Sequence, residues 1–396
     1  MYAILSNGIK VIYKKGSSKL TSISIGIDAG AALEDNLLGL AHMTEHMVYK
    51  GTKSRSENEI NEELTKLFGF QNAMTNYPYV IYYGSLLEED LEKGVNLFSD
   101  ILINPAFIKD GFREEKQVVI QELQEWDEEI EQFCEDRLFF NSYTNNRLKY
   151  PIIGREEDLK NITLEDIKEF YNKYYCPSNT SIAIVSRLDQ TKVIEILERY
   201  FSLWKPTSVN NKLESNELPQ NGVYKEYKDG IKNARVEIIF PLKGLTEREL
   251  VAFRIFNEFF GEGVNSILFD ELRTKNALVY DVLTNIACEK HINLYKITFA
   301  TSKDKVTSAL EIFNKAIKRE YIINEEEIKR FIKAIKRKKL FKEEQGIYLA
   351  KELSVNSVMN KEFTIYDDIT TEEIKAVKDK VLKNQSIQII IPKEVI

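Results

Sequence analysis

The chain has 396 residues, with 55 Lys and Arg against 62 Asp and Glu and a formal net charge of −7. Its 43% hydrophobic and 30% charged content is that of a globular protein and excludes disordered, collagen-like and low-complexity chains. It contains no uncharged apolar run of about 18 residues, which excludes a membrane-spanning helix, and its acidic balance argues against nucleic acid as a main partner. At roughly 150 residues per domain, two or three domains are expected. Three widely spaced cysteines, Cys134, Cys176 and Cys288, form neither a disulfide framework nor a zinc ribbon and point to a reducing compartment. The opening stretch Met1–Lys10 lacks the basic and apolar regions of a secretory signal. A cytoplasmic location with no membrane partner is expected.

In chain order, Gly8–Lys15 and Leu20–Asp28 read as strands, with Ile23, Ile25 and Ile27 on one face. A helix is predicted over 37–50, stopped by Gly51. Residues 56–67 read as a second helix, with Ser56 and Glu59 as a capping box. Strand-like residues 79–86 follow, then an acidic helical region over 110–135, a helix near 163–174 and a strand at 179–185. Residues 206–222 turn to Pro, Ser, Asn, Lys and Glu and read as a linker. Beyond it, strands at 223–228 and 234–241 and a helix over 246–260 ending at Gly261 repeat the earlier order of strand, strand, helix and glycine. The repetition predicts one fold used twice: a domain over 1–205, the linker 206–222, and a homologous domain over 223–396.

The chemistry concentrates in His42-Met-Thr-Glu45-His46. Residues i and i+4 share a helix face, so two imidazoles there can reach one metal ion. Zinc accepts neutral imidazole nitrogens, and a catalytic site uses three protein ligands plus water. Glu45, beside the pair, suits a general base acting on that water. The order H-x-x-E-H inverts the commoner H-E-x-x-H. The competing explanation is a solvated face that happens to carry these residues. Two of the chain's 3 histidines fall in the motif, and a chance match has odds on the order of one in several hundred. The flanks Leu37, Leu38, Leu40, Ala41, Met43, Met47 and Val48 also describe a largely buried helix, where such polar groups are costly without a partner. For the third ligand, the acidic stretch offers Glu115, Glu122 and Glu125. Glu115 and Glu122 share a face, with Val118 and Val119 between them helping to bury it. Periodicity does not choose among the three, and His291 lies in the other half.

These residues resemble a known family. Gly39-Leu-Ala-His-Met-Thr-Glu-His-Met-Val-Tyr-Lys-Gly-Thr is similar to the zinc-binding segment of the pitrilysin/insulysin metallopeptidases, the inverzincins, and Val118-Val-Ile-Gln-Glu-Leu to their third-ligand segment. Glu122 lies 76 positions after His46, the family's usual interval. The resemblance implies one zinc ion per chain, held by His42, His46 and Glu122, with Glu45 as general base and Glu115 as a supporting carboxylate that orients a ligand. Gln71-Asn72-Ala73-Met-Thr75 resembles the family's edge-strand segment, where Asn72 and Ala73 would hold an extended peptide. Residues 260–280 resemble its glycine-rich and Arg…Tyr segment, which implies Arg273 and Tyr280 as donors to the substrate carbonyl. Thr44, Tyr77 and Glu262 depart from the pattern. Aligning Gly261 with Gly51 puts Ala252, Ile255 and Phe256 where His42, Glu45 and His46 sit, so the second half lacks the metal site.

The resemblance further implies an α+β fold of two tandem α/β-roll domains, each a mainly antiparallel sheet flanked by helices. Four such domains close a chamber, so a homodimer is expected, since both the zinc motif and the Arg…Tyr segment lie in this chain. The expected activity is zinc-dependent endopeptidase cleavage of unstructured peptides or leader segments. The alternatives are a non-catalytic scaffold and a partner-dependent subunit of a heterodimeric processing peptidase.

Overall fold

The computed structural model describes residues 2–207, 209, 215–361 and 364–393. Positions 208 and 210–214 of the expected linker lie outside the described residues. The first sheet contains β1 (Tyr2–Ile4), β2 (Lys10–Lys15), β3 (Leu20–Ile27), β4 (Phe68–Thr75), β5 (Val80–Leu87) and β6 (Thr180–Ser186). They run in the order β1-β2-β6-β3-β5-β4. The second sheet contains β7 (Gly222–Lys228), β8 (Ala234–Pro241), β9 (Val282–Cys288), β10 (Asn293–Thr301) and β11 (Ser386–Pro392), ordered β7-β11-β8-β10-β9. In each sheet one pair is parallel, β2 with β6 and β7 with β11, and every other pairing is antiparallel. Leaving β1 aside, the two sheets have one topology. Helices flank both, so the fold is α+β and is built twice.

Packing divides the chain into two units. The first comprises Met1–Gln124, Tyr150–Glu214 and Phe341–Glu362; the second comprises Glu125–Lys149, Ser215–Leu340 and Phe363–Ile396. Each sheet therefore carries a helix from the other half of the sequence. In the first unit, Ile23, Ile25 and Ile27 are fully buried on one face of β3. The opposite face offers Ser22, Ser24 and Gly26 to the helix Gly346–Val358. Small residues are needed there: the Ser24 and Ser354 hydroxyls bond at 2.7 Å, and a Cβ on Gly26 would lie 3.1 Å from Val358 Cγ2.

In the second unit, the helix Ile130–Ser142 covers β8 and β11, and the contact is polar. Asn141 donates to Gln388 at 2.9 Å, Arg137 to Glu226 at 2.7 Å, and Lys296 to Glu135 at 2.5 Å. The other face of that sheet is apolar, with Val236, Ile238, Phe240, Phe253, Phe256, Phe260 and Phe313 in one core.

The acidic region differs from the sequence reading in two details. The acidic region is two helices, Lys109–Glu128 and Ile130–Ser142, and it is divided between the units after Gln124. On the first of them Val119 is buried, but Val118 is half exposed: of these neighbouring positions, only one turns inward.

Candidate metal centre

The helix Leu40–Val48 carries His42, Glu45 and His46. Ala41, Met43, Met47 and Val48 are fully buried and fix its rotation, which turns the histidines toward the helix Lys109–Glu128. Thr44 bonds back to the Leu40 carbonyl at 2.7 Å, so its hydroxyl needs no partner outside the helix. The His42 and His46 ring centroids are 4.5 Å apart. His42 Nε2 lies 3.7 Å from Glu122 Oε1, and His46 Nε2 lies 3.6 Å from Glu122 Oε2.

Among the described residues, His42, His46 and Glu122 are the group of three ligand-type side chains placed to hold one ion, with candidate ligand atoms within 4.8 Å of one another. Two atoms bound tetrahedrally to zinc at about 2.1 Å are about 3.4 Å apart, close to the spacing seen. The donor set of two imidazole nitrogens and a carboxylate also suits zinc. Glu125 is not a member of the group, and His291 lies in the second unit, between β9 and β10.

The electrostatics divide the two histidines. Burial, and then the neighbouring His46, pull the His42 pKa down to about 3, against a smaller opposing pull from Glu115, so His42 is neutral near pH 7. Its buried Nδ1 has no hydrogen-bond partner among the described residues. Burial also pulls on His46, but the hydrogen bond to Glu115 and the charges of Glu45, Glu115 and Glu122 outweigh it and raise its pKa. His46 Nδ1 is 2.7 Å from Glu115 Oε1; a proton on Nδ1 leaves the Nε2 lone pair facing Glu122. Glu115 is itself buried. Burial raises its pKa, yet the bonds from His46 and Lys50 prevail and hold it at about 2.

Glu45 is buried, and Thr75 Oγ1 donates to its Oε2 at 2.5 Å. Burial raises the Glu45 pKa against that hydrogen bond. Behind Glu45 lies a cluster of buried phenols, in which Tyr82 and Tyr175 bond at 2.9 Å and the Tyr49 ring lies 5.9 Å from that of Tyr82.

Asn72 and Ala73 lie on β4, which among the described residues pairs only with β5 and so ends the sheet. The Ala73 amide donates to Asn72 Oδ1 at 2.9 Å, which leaves it off the ladder. In the second unit the Arg273 guanidinium stacks on Phe269 and on Tyr280, each 4.8 Å to the ring centroid. Tyr280 is 81% exposed. Glu262 pairs with Lys338 at 3.1 Å, and Tyr77 is a buried residue whose hydroxyl donates to the Tyr150 carbonyl at 2.9 Å.

Sequence reasoning missed Lys50, Thr75 and the tyrosine cluster. Lys50 Nζ bridges Glu115 at 2.8 Å and Glu57 at 2.7 Å. Its position four residues after His46 was a readable signal. Thr75 sits at the end of a strand, and nothing local marks it.

Two family models match: "Insulinase (Peptidase family M16)" over residues 10–156 and "Peptidase M16 inactive domain" over residues 161–335. An uncharacterized zinc protease of Rickettsia felis is 26% identical over 362 residues, spanning 89% of this chain and 86% of the relative. The uncharacterized zinc protease YmxG of Bacillus subtilis is 23% identical, spanning 81% and 79% respectively. The crystal structure of a protease from Helicobacter pylori superposes with a TM-score of 0.89 over 99% of both chains at 22% identity, a likeness of fold.

Proposed function

We propose that this chain, which belongs to the insulinase-type (M16) peptidase family, is a zinc-dependent endopeptidase acting on unstructured peptides or leader segments, with one zinc ion per chain. The observation that carries the proposal is the convergence of His42, His46 and Glu122 beside the buried Glu45. A zinc ion held by these three would supply Lewis acidity toward a scissile carbonyl and lower the pKa of a water.

The protein groups divide the remaining work. Glu115 holds the Nδ1 side of His46 and so fixes which ring nitrogen faces the ion. Thr75 occupies Glu45 Oε2, which leaves Oε1 to take a proton from the attacking water and later pass it to the leaving amine. A carboxyl raised by burial is better matched to that exchange near neutral pH than an ordinary one. The free edge of β4 at Asn72 and Ala73 offers main-chain pairing to an extended peptide, which tolerates varied side chains. Arg273 and Tyr280, both in the second unit, carry hydrogen-bond donors of the kind that suits a carbonyl oxygen gaining charge. A homodimer, enclosing the substrate among four domains, belongs to the same proposal; sedimentation at twice the chain mass checks it.

Glu45→Gln tests the assignment. Peptide hydrolysis falls by about 10²–10⁴-fold, the usual contribution of a general base, while zinc analysis still finds about one ion per chain. Full activity in the variant removes Glu45 from the role. A wild-type chain that retains well under one equivalent of zinc after gentle purification favours the non-catalytic scaffold instead.

A further inference from the structure

The helix bearing His42, Glu45 and His46 begins without a cap of its own. Its cap position is Gly39, at φ 88°, with no side chain to accept from the first-turn amides. Those amides have no partner within the helix, and Ser, Thr, Asn or Asp usually supplies one. None fits here, because a Cβ on Gly39 would lie 2.3 Å from the Ile153 carbonyl oxygen. The facing residue, Gly154 at φ +92°, is equally tight: its Cβ would lie 2.4 Å from the Leu38 carbonyl oxygen. Two backbones meet at this point, and the cap must come from elsewhere.

Glu34 supplies it. Its Oε2 accepts from the Gly39 amide at 3.1 Å and its Oε1 from the Ala41 amide at 2.8 Å. The residue is 4% exposed, so the carboxylate is held in low dielectric at the positive end of the helix, where negative charge is favoured. Its own position is set by the turn Ala31–Leu33. The Ala31 and Ala32 amides donate to the Asn76 and Tyr77 carbonyls at 3.0 and 2.8 Å, immediately after Thr75, which holds Glu45. One short stretch, 75–77, therefore steadies both the proposed base and the cap of the helix that carries it.

We propose that Glu34 is a positioning residue for the metal centre. Its carboxylate sets the first turn of the motif helix, and through that turn the aim of His42, the residue after Ala41, toward Glu122. The proposal rests on the zinc reading above.

The test uses the full chain with Glu34→Ala and Glu34→Gln. The glutamine keeps one acceptor oxygen but turns an NH₂ group toward one of the two amides. Zinc affinity by chelator competition falls about 10-fold in Glu34→Ala, the scale seen when an outer partner of a ligand is lost, and by less in Glu34→Gln. In both, kcat falls while KM stays near wild type. A merely structural role would lower the unfolding temperature of the zinc-free chain and leave zinc affinity unchanged where the variant is folded. Affinity within about two-fold of wild type in a folded Glu34→Ala overturns the proposal; should that variant not fold, wild-type affinity and kcat in Glu34→Gln do the same. Wild type that binds zinc beside an indifferent variant sinks this inference alone. Wild type that binds none sinks the zinc reading with it.

Discussion

The helix Leu40–Val48 follows β3, and the helix Glu247–Phe260 follows β8, the corresponding strand of a sheet with the same order. One carries His42, Glu45 and His46 inward; the other carries Ala252, Ile255 and Phe256, all essentially fully buried. In the second unit the site positions are plain core: Phe256 stacks on Phe260 at 5.0 Å and packs near Phe253. The comparison teaches that the fold does not require polar residues there. Burying two imidazoles and a carboxylate is a cost that an apolar core avoids. The first unit meets that cost with a set of partners, Thr75, Glu115, Lys50 and Glu34, around positions where the second unit has hydrocarbon.

The most demanding test moves one polar residue across. Ile255→Glu puts a carboxyl in a core without the Thr75 bond that Glu45 has, and about 3–5 kcal/mol of stability is lost, read by urea unfolding. A loss below about 1 kcal/mol would mean that the second unit tolerates charge as well as the first. Removing a partner in the first unit has a smaller effect. Glu115→Gln keeps the size and the acceptor oxygen but loses the charge between His46 and Lys50; zinc affinity drops about 10–100-fold, measured by chelator competition.

In pH dependence the two units have opposite signs. His42 is depressed by burial to about 3 from 6.5, so the unfolded chain binds that proton first. In the zinc-free chain its contribution to stability is complete above pH 6.5 and is lost as pH falls toward 3. Glu237, fully buried on β8 near Glu135, is raised from 4.5 to about 8 by burial first and by Glu135 second, against Lys296 and Arg235. The folded state holds that proton, so its contribution is present below pH 4.5 and is lost as pH rises through 8. Denaturant midpoints across pH 3–8 read both slopes. Glu237→Gln flattens the alkaline one, and an unchanged slope in that variant assigns it to another group.

Much of the site was legible because its information is local. The i, i+4 spacing of His42 and His46 follows from the helix period alone, and the rarity of histidine made the motif stand out. The helix boundary was less legible: 37–50 was predicted and 40–48 forms. Leu37 and Leu38 continue the apolar run, but the backbone contact of Gly39 with Ile153 starts the helix later. The choice among Glu115, Glu122 and Glu125 was not open to periodicity. Helices of 3.6 residues per turn put Glu115 and Glu122 on one side, and only their distances separate the residue facing both Nε2 atoms from the one holding Nδ1.

The strands over 10–15, 20–27, 80–87 and 180–186, the motif helix and the recurrence of strand, strand and helix after residue 222 were readable from the chain alone, as were the residue types able to bind an ion, because alternation, periodicity and donor chemistry are properties of neighbouring residues. Tertiary structure decided what depends on residues far apart in the chain. It brought Glu122 to His42 and His46, Thr75 to Glu45, and Glu34 to the start of a helix that could not cap itself. It also laid a helix from each half of the sequence against the sheet built from the other half, since the faces of β3 and β8 are covered by whichever segment fits them, and that fit is written in no single stretch of sequence.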